Sequence, residues 1–163
     1  MDDIAAHTLV VLRHAKSDWS GGEPDRLRPL AERGRRQAPD AGRWLAAHLD
    51  HLDLALVSPA LRARSTWELV SAELADPPPT RLEEGVYAAS GDALLELVRG
   101  MDDALTTVVL VGHNPGLEDL VESLVDQWVH LPTSAIAVVT LAGRWADAGP
   151  ATAALVTSGR PPA

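Results

Sequence analysis

The sequence predicts a three-layer α/β/α sandwich, a mostly parallel central sheet with helices on both faces. Short apolar runs rich in β-branched residues recur as TLVVL (8–12), LDLALVS (52–58) and TTVVLVG (106–112). They are continuous rather than alternating, as expected of strands buried on both faces. Segments with helical spacing separate them, and strands alternating with helices build a parallel sheet covered on both sides.

The first run gives a strand over 8–12. From Ala31 to Leu49 the apolar positions Ala38, Ala41, Leu45 and Leu49 recur at helical spacing. Pro39 falls inside that pattern and predicts a kink or a restart. The second strand ends at Ser58-Pro59, which reads as an N-cap and a first-position proline for a helix reaching about Leu74. The PPP at 77–79 is a loop, followed by a short strand over 80–82 and a helix over 92–101. After the third strand, Asn114-Pro115 repeats the cap-and-proline signal, and Leu117, Leu120, Val121, Leu124 and Val125 form one apolar face. AIAVVTLAG (135–143) and ATAALVTSG (151–159) read as two strands whose tight connection permits antiparallel pairing, and the tail at 158–163 is expected to fray.

A chain of 163 residues fits one domain, taken as 1–163. A net charge of −9 argues against nucleic acid or an anionic membrane surface as partner, since both call for clustered positive charge. With no cysteine, disulfides and thiolate metal sites are excluded. No stretch is long enough to span a bilayer, and MDDIAAHTLVVLRH begins with acidic residues and an apolar run too short for a signal peptide, so a cytoplasmic protein is expected. HLDHLD (48–53) has two histidines near acids but reads as a mixed helix end, so neither a metal nor a cofactor is expected. The tryptophans at 19, 44, 67, 128 and 145 read as core or pocket-wall residues.

The chemistry-bearing residues fall at strand ends. Arg13 and His14 leave the first strand, His113 leaves the third, and Arg62 lies in the first turn of the helix after the second. Parallel sheets bind ligands beyond the carboxyl ends of their strands, so these four side chains are expected to converge. Two arginine forks suit phosphate oxygens, the helix opening at Asn114-Pro115 offers N–H groups to an anion, and a neutral imidazole can attack phosphorus.

LRHAKSDW, SPALRARSTWELV and VGHNPGLEDL resemble the signature blocks of the histidine phosphatase superfamily, in its phosphoglycerate-mutase-like branch. With RPLAERGRRQA and VYAASGD, they resemble the small SixA-like phosphohistidine phosphatases, over about residues 9–143. The resemblance implies that His14 is the phosphorylated nucleophile and that Arg13, Arg62 and His113 complete the phosphate pocket, with Asn114 beside them. Glu84, in LEEGVY, is the candidate proton donor, and Ala15 stands where the superfamily more commonly has glycine. The loop from Ala15 to Leu30 is too short for a capping domain. The implied activity is metal-independent hydrolysis through a covalent phosphohistidine, with phosphohistidine on a phosphorylated protein as the expected substrate and a small phosphorylated metabolite, a sugar phosphate or nucleotide, as the alternative. A mutase needs a closed site that this chain is too short to build. A non-catalytic phosphate-binding module is the remaining alternative.

Overall fold

The computed structural model describes residues 6–163. The acidic opening read against a signal peptide therefore falls largely outside the described residues. Among the described residues six strands form one sheet: β1 (His7–Arg13), β2 (Leu54–Val57), β3 (Thr80–Leu82), β4 (Thr107–Gly112), β5 (Ile136–Leu141) and β6 (Ala153–Gly159). Their order is β3-β2-β4-β1-β5-β6. The first four are mutually parallel, β5 runs antiparallel to β1, and β6 runs antiparallel to β5.

Four helices cover the sheet: α1 (Glu32–His48), α2 (Leu61–Ser71), α3 (Gly91–Arg99) and α4 (Gly116–Val125). The twofold period of a strand sorts the core into two layers. Leu9 and Val11 of β1, with Val108 and Leu110 of β4, pack against Leu94 and Val98 of α3 and Leu117, Leu120 and Leu124 of α4. Val10 and Leu12, with Val109 and Val111, face the other way onto Ala38, Ala41 and Leu45 of α1 and Ala63, Trp67 and Val70 of α2. Adjacent residues of one apolar run thus fill opposite layers, which is why the runs are continuous.

Several boundaries differ from expectation, each for a local reason. Helix α1 continues through Pro39 without restarting. Helix α2 starts three residues after Ser58, with Ala60 as its N-cap and the Ser58 hydroxyl oxygen accepting the Ala60 N–H ahead of the first turn, and ends at Ser71 rather than Leu74. At α4 the N-cap is Pro115 itself, and Asn114 Oδ1 accepts the Glu118 N–H from the preceding loop. The connection between β5 and β6 is not tight: it holds a 3-10 turn at Trp145–Asp147 that buries Trp145 completely. Ser158 and Gly159, grouped with the fraying tail, pair with Ala137 and Ile136, and Arg160 Nε donates to Thr133 O at 2.8 Å. Of the tryptophans, Trp67 and Trp145 lie in the core, whereas Trp128 is 63% exposed and belongs neither to the core nor to the pocket described below. No described helix is long and apolar enough to cross a membrane.

Candidate active site

Strands β1 and β4 are neighbours at the centre of the sheet, with Arg13 level with Gly112. The chain leaves both strands at the same edge, which brings His14 and His113 together. Their ring centroids lie 5.2 Å apart with planes inclined by 54°. Helix α2 delivers Arg62 to the same place. A cavity of about 260 Å³ is lined by Arg13, His14, Arg62, His113 and Asn114 from the expected set, together with Lys16, Ser17, Trp19, Arg28 and Thr133.

The peptide after β1 is fixed from three sides. Ala15 N–H donates to Thr66 Oγ1 of α2 at 2.9 Å, Lys16 N–H donates to Gln37 Oε1 of α1 at 3.0 Å, and Ser134 N–H donates to His14 O at 3.0 Å. Ala15 is fully buried in this frame and does not need the positive φ that would favour glycine. Gly34 is required by close approach: a Cβ there would stand 2.1 Å from Lys16 O.

His14 is 7% exposed. Its Nδ1 lies 2.7 Å from Ala15 O, and a carbonyl can only accept, so Nδ1 carries the proton and Nε2 keeps its lone pair. Burial lowers the His14 pKa to about 3, with His113, Arg62 and Arg13 pushing the same way. Burial, then Arg62, lowers His113 to about 4. Both rings are therefore neutral near pH 7 in the unliganded pocket. His113 Nε2 shares a 2.8 Å hydrogen bond with Ser58 Oγ, whose oxygen also accepts the Ala60 N–H. The hydroxyl can then donate to Nε2, leaving His113 Nδ1–H as an unpartnered donor.

The Nε atoms of Arg13, Arg28 and Arg62 and the Nδ1 of His113 are all buried without a hydrogen-bond partner. Buried polar groups are normally satisfied, and these four unpartnered atoms all belong to side chains that line the one cavity. All four side chains are hydrogen-bond donors, which suits the tetrahedral oxygens of a phosphoryl group.

Two expected contributions are not placed as anticipated. Glu84 does not line the cavity; it is paired at the surface with Arg26 at 2.8 Å, and that bond keeps its carboxyl below the usual range and ionised. The α4 N-terminus is not an open anion cradle either. Leu117 N–H is taken by His113 O and Glu118 N–H by Asn114 Oδ1. Asn114 lines the cavity but also donates through Nδ2 to Leu131 O at 2.8 Å.

The 16–30 loop supplies residues that reading by strand ends passes over. It is pinched where Ser17 bridges Leu30 and Asp18 N–H donates to Pro29 O, and it turns through a 3-10 segment at Asp25–Leu27. Arg28, 8% exposed, bonds Ser17 Oγ and Asp25 and lies 3.5 Å from the centre of the Trp19 ring. Asp25 bonds Arg62, Arg28 and Tyr87. The signal for Arg28 was present in RPLAERGRRQA, a block that carries resemblance but sits at no strand end. HLDHLD resolves into local pairs, His48 stacked on Trp44 and His51 bonded to Asp53, and no described residues form a group able to hold a metal ion.

The chain is similar to known proteins in sequence and in fold. Residues 9–86 match the family described as the histidine phosphatase superfamily (branch 1). An uncharacterised protein of Mycobacterium tuberculosis is 39% identical over 158 residues, covering 89% of this chain and 96% of that one. A structure from Nakamurella multipartitia described as a phosphohistidine phosphatase SixA superposes with a TM-score of 0.86 at 30% identity, over 99% of this chain and 100% of that one. The protein histidine phosphatase SixA complexed with tungstate has the same fold, with a TM-score of 0.82 at 23% identity over 94% of this chain and 97% of that one. With two histidines and three arginines gathered at the ends of its central strands, the chain belongs to the histidine phosphatase superfamily as a SixA-like phosphatase.

Proposed function

We propose that the protein hydrolyses phosphohistidine on a partner protein, without a metal, through a covalent phosphohistidine at His14. The observation that carries this reading is the state of His14: a neutral imidazole with Nδ1–H held by Ala15 O, which leaves Nε2 as a lone pair in a cavity walled by guanidinium groups. Nε2 attacks phosphorus while the bond from phosphorus to the leaving nitrogen breaks. Arg13, Arg28, Arg62 and His113 hold the phosphoryl oxygens, where charge concentrates as the transfer proceeds. Water then cleaves the P–Nε2 bond, releases inorganic phosphate and returns His14 to its neutral form.

The substrate class rests on what the cavity wall lacks. Among the described lining residues there is no carboxylic acid, and Glu84 is held ionised at the surface. An alkoxide leaving group needs a proton from an acid in the transition state. The imidazole leaving from phosphohistidine is already a good leaving group once its ring nitrogen is protonated, and water supplies that proton. The open mouth, with Trp19 71% exposed on its wall, admits a side chain carried on another protein.

The test is a substrate panel: a phosphohistidine-bearing protein, a sugar phosphate, a nucleotide and a phosphoglycerate, each assayed with and without chelator. The reading expects turnover of phosphohistidine, indifferent to chelator and at least ~10³-fold slower in His14→Ala. Preference for an alkyl phosphoester, or loss of turnover with chelator, overturns it.

A further inference from the structure

The catalytic groups account for Arg62 and Arg28 but not for what aims them. Asp25, in the 3-10 turn Asp25–Leu27, is outside the cavity wall yet bonded to both arginines. Its Oδ1 accepts from Arg28 Nη2 at 3.1 Å and its Oδ2 accepts from Arg62 Nη2 at 3.1 Å. Its backbone carbonyl accepts from Arg62 Nη1 at 2.7 Å, so Arg62 is gripped at both terminal nitrogens by one residue. The Tyr87 hydroxyl donates to the same Oδ2, and the Tyr87 ring meets His113 edge-on with centroids 5.9 Å apart.

We infer that Asp25 is a positioning residue: its carboxylate holds one terminal nitrogen of Arg62 and one of Arg28, so that both guanidinium groups are fixed in the cavity wall where the phosphoryl oxygens bind, and through Tyr87 it ties the same frame to His113. This rests on the phosphatase reading of the pocket. Both carboxylate oxygens are needed as acceptors, one for each arginine. An amide presents a single acceptor oxygen, and its NH₂ opposes a guanidinium donor whichever way it is turned. Asp25→Asn is therefore nearly the same size and still disrupts the grip on one arginine or the other. The carboxylate also offsets part of the charge of Arg13, Lys16, Arg28 and Arg62 gathered around one cavity. Its field reaches His113, whose pKa it raises, but is not among the influences on His14.

The experiment compares wild type, Asp25→Asn, Asp25→Glu and Tyr87→Phe in three measurements: kcat and KM on p-nitrophenyl phosphate, tungstate affinity by calorimetry, and the pH titration of the His14 and His113 rings by NMR. Hydrogen bonds to charged groups being strong, Asp25→Asn is expected to lower kcat/KM and tungstate affinity by about 10- to 100-fold. Asp25→Glu recovers part of the loss, and Tyr87→Phe loses less than Asp25→Asn. The His113 titration moves to lower pH in Asp25→Asn while that of His14 stays in place, a pattern that general loosening of the fold does not produce. Tungstate affinity within twofold of wild type in both Asp25→Asn and Tyr87→Phe overturns the inference. Should Asp25→Asn fail to fold, Tyr87→Phe carries the decision alone. A wild type that binds tungstate but turns over no phosphate compound defeats the proposed function and leaves the Asp25 affinity measurement intact.

Discussion

Acidifying the protein from pH 7 to pH 5 is expected to destabilise it through the two histidines that line the cavity, His14 and His113. An unfolded histidine titrates near 6.5. Burial lowers His14 to about 3 and His113 to about 4 in the folded chain. Between those values and 6.5 the unfolded state binds protons that the folded state refuses, so stability present above pH 6.5 is lost as the pH falls. The slope approaches about 1.4 kcal/mol per pH unit for each histidine, and integrating from pH 7 to 5 gives about 2 kcal/mol each, or about 4 kcal/mol together. For a domain of this length that corresponds to about 8–15 °C in Tm. The assay is thermal unfolding in phosphate-free buffers at closely spaced pH. Replacing His14 with Gln removes close to half of the pH-dependent loss, because only His113 then remains to discriminate. Saturating inorganic phosphate flattens the profile, since a bound anion favours the imidazolium form that the empty pocket disfavours. A Tm unchanged between pH 7 and 5, or a slope unaffected by His14→Gln, refutes the claim that both rings are held neutral by their surroundings.

Other substitutions separate the pocket from its scaffold. Arg62→Lys offers a single point charge where Nη1 and Nη2 make separate bonds to Asp25, and it is expected to lower kcat/KM by about 10²- to 10³-fold with Tm little changed. Gly34→Ala places a methyl group 2.1 Å from the Lys16 carbonyl oxygen. The backbone behind His14 must then shift, costing about 1–3 kcal/mol in denaturant unfolding together with a loss of activity. Glu84→Gln is expected to keep kcat/KM within about twofold, since this exposed carboxylate contacts Arg26 rather than the cavity, and a loss above tenfold would restore it as proton donor.

The central strands were legible because burial on both faces leaves no polar position to interrupt LVVL (9–12) or VVLV (108–111). The hairpin at the end was legible as two strands but not in its connection, since the turn at Trp145–Asp147 is held by long-range bonds such as Trp145 Nε1–H to Leu105 O. Of the site, the meeting of His14, His113, Arg13 and Arg62 follows from topology: one residue beyond a strand end or one turn into a helix is a fixed location. Arg28 and Asp25 lie in a loop whose path depends on pairings such as Ser17 with Leu30, which no periodicity announces. Ser58 has the sequence context of a helix cap, but its oxygen accepts the Ala60 N–H just before the helix, and its partner His113 lies 55 residues away, which no local pattern announces. The resemblance that points to an acid in LEEGVY says nothing of the direction of the Glu84 side chain, which Arg26 holds at the surface.

The most direct test is to look for phosphorus on His14. Rapid quench of wild type during turnover, followed by mapping of the modified peptide and ³¹P NMR, should reveal an acid-labile, base-stable phosphoryl group on Nε2 of His14. The label should be absent in His14→Ala. Sustained turnover by wild type with no phosphoryl group ever trapped on His14, or by His14→Ala at the wild-type rate, would contradict the account.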